Sequence, residues 1–84
     1  MNGKHRKTLA EVFDPRCQAG IGWLRIEALL LAVGCRLVEG RGSRVRFVHG
    51  SNIATFHRPH PAKEAKPYQV ADARDFLQTL GIRP

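Results

Sequence analysis

The stretch that decides the fold runs Gly42-Ser43-Arg44-Val45-Arg46-Phe47-Val48-His49, then Gly50-Ser51-Asn52, then Ile53-Ala54-Thr55-Phe56-His57-Arg58-Pro59-His60-Pro61. Val45 and Phe47 alternate with Arg44 and Arg46, the period-two pattern of a strand buried on one face. Gly50-Ser51 suits a two-residue hairpin turn with glycine first. That turn sets a register in which Phe47 faces Ala54 and Val45 faces Phe56, all apolar and on one side. On the other side Arg46 faces Thr55 and Arg44 faces His57. A slip of one residue would bring Phe56 beside an arginine, so the apolar pattern itself selects this pairing. Arg44 and His57 are therefore expected as cross-strand neighbours, with Cβ atoms roughly 5 Å apart. Beyond them Pro59 holds the chain extended as far as His60.

Working upstream, Arg36 to Glu39 reads as a preceding strand and Gly40-Arg41-Gly42 as the turn that joins it to the hairpin. Trp23 to Val33 is the strongest helical segment, closed by Gly34. Trp23, Ile26, Leu30 and Val33 form one apolar stripe on it, and Leu24 and Leu31 form a second edge about 100° away. The segment before it holds a capping-box pattern, Thr8-Leu9-Ala10-Glu11, which predicts a short helix from Leu9 to Phe13 stopped by Asp14-Pro15. Residues 1–7, with Lys4 to Lys7 as a charge run, are expected as a mobile basic arm. Downstream, Pro59 to Pro67 carries three prolines and reads as an extended basic loop. Tyr68 to Leu80 follows as a helix whose apolar stripe is Val70, Ala73, Phe76, Leu77 and Leu80, ended by Gly81.

The chain of 84 residues is expected to be a single domain of class α+β, in the order α-α-β-β-β-α. A three-stranded antiparallel meander with helices packed on one face satisfies that order, and leaves Arg44, Arg46, Thr55 and His57 on the other. No apolar run reaches the roughly 18 residues that span a bilayer, and no secretory leader is evident. Two cysteines, Cys17 and Cys35, do not make a disulfide framework, so a cytoplasmic location is the default.

Net charge is the informative total. Fourteen Lys and Arg against seven Asp and Glu give +7, which suits a polyanionic partner such as RNA or an acidic protein. No phosphate loop, paired-glycine fingerprint or nucleophile elbow is present. His57 and His60 have too few companion ligands for a metal site, and no cofactor motif is found. Arg44, Arg46, His57, Arg58, His60 and Lys63 do cluster along the hairpin and its trailing loop. Guanidinium and ammonium groups neutralise phosphate, and imidazole is the side chain that titrates near neutral pH. Those groups can cut RNA without a metal: a histidine takes the 2′-hydroxyl proton while cations stabilise the charge that develops. On residue types alone, a basic surface that binds RNA without cutting it is the simpler reading.

The string Gly42-Ser43-Arg44-Val45-Arg46-Phe47, with Phe56-His57-Arg58-Pro59-His60-Pro61-Ala62-Lys63-Glu64 and the closing Phe76-Leu77, Leu80-Gly81-Ile82, resembles the HicA family of bacterial toxins. The resemblance runs from about Trp23 onward and does not extend to the residues before it. It implies a fold like that of double-stranded-RNA-binding domains. It also implies a ribosome-independent mRNA interferase neutralised by a HicB antitoxin. In one respect this chain departs from the family. Most members carry Gly-Ser-His where Gly42-Ser43-Arg44 stands here, and that histidine is their catalytic one. The register places His57 directly across from Arg44, so the histidine can have changed strands. His60 corresponds to the histidine of the family's Pro-x-His-Pro-like loop.

These readings converge on an RNA-cleaving toxin with His57 and His60 as catalytic candidates and Arg44, Arg46, Arg58 and Lys63 as phosphate ligands. The alternatives are an RNA-binding module of the same fold that has lost catalysis, and a basic adaptor for another protein. An 84-residue domain can cover only one apolar face of the Trp23–Val33 helix with its own sheet. Leu24 and Leu31 are therefore expected at the interface with an acidic antitoxin, unless the first helix folds over them.

Overall fold

A three-stranded antiparallel sheet in the order β1-β2-β3 lies against three helices. The elements are α1 (Gly3–Phe13), α2 (Trp23–Ala32), β1 (Arg36–Glu39), β2 (Arg44–His49), β3 (Asn52–His57) and α3 (Pro67–Thr79). The computed structural model describes all 84 residues. This is the α+β order expected, and the hairpin register agrees residue for residue: Arg44 pairs with His57, Val45 with Phe56, Arg46 with Thr55 and Phe47 with Ala54. Gly50 supplies the positive φ of 61° at the first turn position, which only glycine adopts without strain.

The alternation that selects the register also builds the core. Val45, Phe47 and Phe56 are buried on the helical side of the sheet, while Arg44, Arg46, Thr55 and His57 are exposed on the other. Phe56 meets Trp23 of α2 at 5.2 Å between ring centroids, and Phe47 edge-on at 5.9 Å. Burying each such aromatic or aliphatic side chain stabilises the fold by roughly 1.5–3 kcal/mol. Ile26, Leu29 and Leu30 of α2 complete one side of this core, and Val70, Ala73 and Leu77 of α3 the other.

Helices α2 and α3 end alike. Gly34 has φ 103°, its N–H donates to Leu31, and the Cys35 N–H donates to Leu30. Gly81 has φ 78°, with matching bonds from Gly81 to Gln78 and from Ile82 to Leu77. Each is a paired C-terminal cap that turns the chain sharply and satisfies orphan carbonyls. Pro67 proves to be the first residue of α3, where its fixed φ is already helical and its missing N–H costs nothing.

The N-terminal segment differs from expectation. Residues from Gly3 onward are helical, so Lys4 to Lys7 belong to α1 and do not form a free arm. Asn2 is the cap, its Oδ1 accepting from the His5 N–H at 3.0 Å. Thr8 lies buried inside the helix, its hydroxyl donating to the Lys4 carbonyl. The capping box is not formed: Thr8 lies inside the helix, and the Glu11 carboxylate is bound by Arg25 of α2, which also donates to the Thr8 hydroxyl. Arg25 holds Glu11 below the ordinary carboxyl pKa, chiefly through their hydrogen bond.

α1 packs beside α2 through this contact, with Leu9 and Val12 in the core. It does not cover the second edge of α2. Leu24 stays 74% exposed and Leu31 45%. No helix is long and apolar enough to cross a membrane.

Candidate functional site

The open face of the sheet carries a cleft of about 520 Å³ lined by Gly40, Arg41, Arg44, Arg46, Thr55 and His57. No apolar side chain lines it. β2 contributes Arg44 and Arg46, β3 contributes Thr55 and His57, and the β1–β2 turn contributes Arg41. That turn is tight, with the Gly40 N–H donating to the Arg44 carbonyl at 2.8 Å and the Arg44 N–H donating to Arg41 at 3.1 Å. A Cβ at residue 40 would lie 3.1 Å from the Arg44 carbonyl oxygen, so glycine is what lets Arg41 fold back over the strand. The ion pairs of the protein engage Arg16, Arg25 and Arg58, which leaves Arg41, Arg44 and Arg46 without a carboxylate partner.

His57 occupies the last position of β3, and its backbone is fixed from two directions. The Arg58 N–H donates to the Ser43 carbonyl at 2.8 Å, extending the ladder one step past the strand. From α3, the Gln69 side chain donates to the His57 carbonyl at 2.6 Å. Gln69 is buried, and its Oε1 accepts from the Lys66 N–H, so one side chain caps α3 and clamps the histidine. The imidazole itself is exposed towards the cleft.

Arg58, expected among the phosphate ligands, has another partner. Its Nε donates to Glu27 at 2.7 Å and its Nη1 to Glu39 at 2.7 Å. Its pKa is driven further above the ordinary guanidinium value, first by Glu27 and then by Glu39. Glu27 is buried in α2 and also accepts from the Trp23 indole N–H. A buried carboxylate needs such donors, and Arg58 is one of them. This group ties α2, β1 and the end of β3 together.

His60 and Lys63 lie elsewhere. They line a separate groove of about 630 Å³ between the N-terminal turn of α2 and the proline loop, beside Trp23, Leu24 and Arg25. The loop is held there by two backbone bonds, Trp23 N–H to Lys63 and Ala65 N–H to Ile21. Of the six residues expected to act together, the structure joins Arg44, Arg46 and His57 in one cleft. It pairs Arg58 with Glu27 and Glu39 and sets His60 and Lys63 in a different groove. Arg41 completes the cleft and was not foreseen, although its place in a Gly-Arg-Gly turn beside the arginine-bearing strand was a usable signal.

No three His, Cys, Asp or Glu side chains converge as a set of metal ligands. Both cysteines are free thiols, and burial pushes the Cys35 pKa up, away from thiolate chemistry.

Fold and cleft together define a small basic α+β domain whose sheet offers one cationic face with a single imidazole at its edge. The family model described as the HicA toxin of bacterial toxin–antitoxin systems matches residues 23–82, and the chain belongs to that family. Membership makes it the toxin of such a pair, with an antitoxin as its partner. No curated protein and no solved structure matches the chain at a significant level. The matched residues take in α2, the whole sheet and α3, and leave α1 outside.

Proposed function

We propose that this toxin is a metal-independent endoribonuclease acting on mRNA in the bacterial cytoplasm, with His57 as its general base. The observation that carries the reading is the exposed His57 imidazole in a polar cleft with three arginines that lack carboxylate partners. An RNA backbone laid across the sheet presents its phosphates to Arg41, Arg44 and Arg46. His57 takes the proton of a 2′-hydroxyl, and the 2′-oxygen attacks the adjacent phosphorus. The bond from phosphorus to the 5′-oxygen breaks, that oxygen takes a proton from water, and a 2′,3′-cyclic phosphate remains. The guanidinium groups offset the charge that builds on the non-bridging oxygens. Arg58 has no part in this step beyond holding the strand end, and His60 and Lys63 face the other groove. The antitoxin is of the HicB type, acidic enough to complement a toxin of net charge +7.

One observation favours a second reading, a module that binds RNA and leaves it intact. Arg44 stands where the resemblance places the family's histidine, so the cleft has gained a phosphate ligand where a base was expected. Incubation of purified protein with RNA in the presence of a chelator separates the two. Cleavage is expected, and His57→Ala should lower it by roughly 10²–10⁴-fold while RNA affinity stays within about 3-fold. Arg44→Ala should weaken binding as well and reduce its salt slope by about 1. Equal cleavage by wild type and His57→Ala refutes His57 as the base, and RNA that is bound but cut by neither favours the binding module.

A further inference from the structure

One edge of α2 is covered by neither the sheet nor α1 and leaves apolar side chains exposed. Leu24, Ala28 and Leu31 are spaced i, i+4 and i+7, so they lie in one row along the helix. Leu24 is 74% exposed, more than any other large apolar side chain of the chain. It stands between two depressions and lines both. On one side is a groove of about 510 Å³ between α1 and α2, walled by Lys4 and Lys7 and floored by Ala28. On the other is the groove under the proline loop, which ends at Lys63. The neighbouring Arg25 already spends its charge on Glu11. Lys4, Lys7 and Lys63 carry no ion pair and surround the apolar row with positive charge.

We propose that the antitoxin docks here, with an apolar socket enclosing Leu24 and carboxylates meeting Lys4, Lys7 and Lys63. The proposal rests on membership of the toxin family, which supplies an antitoxin, and does not depend on RNA cleavage. Charge decides the occupant. A second copy of this chain would bring the same lysines face to face, whereas an acidic partner gains from every contact on the rim and docks faster for it. An RNA strand would meet the lysines and leave Leu24 in water. Enclosing Leu24 removes from water the largest apolar projection on the surface, the kind of central anchor that dominates an interface. Four of the seven residues that line the first groove come from α1, which lies outside the residues shared with the family model. The contact therefore reads an element particular to this chain, and α1 matches the toxin to its own antitoxin. From Leu24 the surface continues along the proline loop to the residues just after His57, so a partner seated here lies beside the cleft.

Calorimetric titration of the full chain with the protein encoded by the adjoining reading frame tests this. Leu24→Glu should weaken binding about 100-fold or more, and Lys4→Glu with Lys7→Glu about 10-fold with a flatter salt dependence. Ala10→Glu, on the exposed side of α1 away from the groove, should leave affinity unchanged. A side chain this exposed can be replaced without unfolding, and Leu24→Gln repeats the test without the added charge. Affinity within about 3-fold of wild type for both Leu24 variants overturns the proposal, as does absence of binding by that protein. Sedimentation of the isolated chain covers the competing occupant: a dimer lost on Leu24→Glu would assign the surface to self-association. The readout is heat of binding, so a chain that cuts no RNA still decides the matter.

Discussion

Replacing Glu27 by alanine should be among the most damaging single changes outside the apolar core, and the structure indicates how large the effect is. Glu27 is buried and accepts from two donors, the Trp23 indole and the Arg58 guanidinium. Removing it leaves the Trp23 N–H without a partner in the interior, at a cost of about 1–3 kcal/mol. Arg58 keeps Glu39 and is one-third exposed, so its loss stays near the scale of a surface pair, about 0.5–1 kcal/mol. The total is roughly 1.5–4 kcal/mol. For a domain of this size each kcal/mol moves Tm by roughly 4–8 °C, so the midpoint should fall by about 6–30 °C. Glu39→Ala removes the other half of the Arg58 clamp at a side chain 65% exposed, and should cost under about 1 kcal/mol. Glu27→Gln keeps an acceptor for the indole and belongs between the two. Thermal melts by circular dichroism rank the three variants. Trp23 is the single tryptophan of the chain, so its emission reports on the bond being broken. A Glu27→Ala protein no less stable than Glu39→Ala would refute the account, because the buried carboxylate would then hold nothing that the exposed one does not.

Two further outcomes follow from groups described above. The Glu11 carboxyl is held below its ordinary value near 4.5 by Arg25, so its contribution is full above that value and is lost as pH falls through the lower folded one. Glu11→Gln should therefore show a flatter loss of stability as pH falls below about 4.5, by up to about 1 kcal/mol for a partly exposed pair, in urea titrations at stepped pH. Gln69→Ala removes both the cap of α3 and the clamp on His57; it should cost about 1–3 kcal/mol and lower the RNA cleavage rate with little change in RNA affinity. Unchanged cleavage by a folded Gln69→Ala protein would show that the clamp does not position the imidazole.

The hairpin was legible because two constraints agreed on it: a glycine-led turn and an alternation that tolerates only one register. Arg44 and His57 became neighbours on that ground alone. The start of α1 was not legible, since Asn2 and Thr8 are both good caps, and the partner that Glu11 takes, Arg25, is remote in sequence. The carboxylate partners of Arg58 were not legible for a similar reason. Its sequence neighbours are histidine and prolines, whereas its partners come from α2 and β1, and a basic side chain does not show from sequence which carboxylate it will meet. His60 and His57 are close along the chain, yet β3 ends between them and the loop turns towards α2. Proximity in sequence stops meaning proximity in space where a strand gives way to a loop anchored elsewhere. Leu24 was readable as exposed because the apolar circumference of α2 exceeds what one sheet face can cover.

The Gln69 clamp also orders events in time. Translation runs from the N-terminus, so β2 and β3 are made before α3. The strands pair locally, but the apolar face of the meander has no complete core to pack on until α3 supplies Val70, Ala73 and Leu77. Until Gln69 arrives, the carbonyl of His57 lacks its donor and the strand end is supported only through Ser43 and the residues after it. A product that ends before α3 lacks Gln69 and also the side of the core supplied by Val70, Ala73 and Leu77, so neither the sheet nor the imidazole is secured. A chain able to injure its host is least complete at the stage when it is still attached to the machine that makes it.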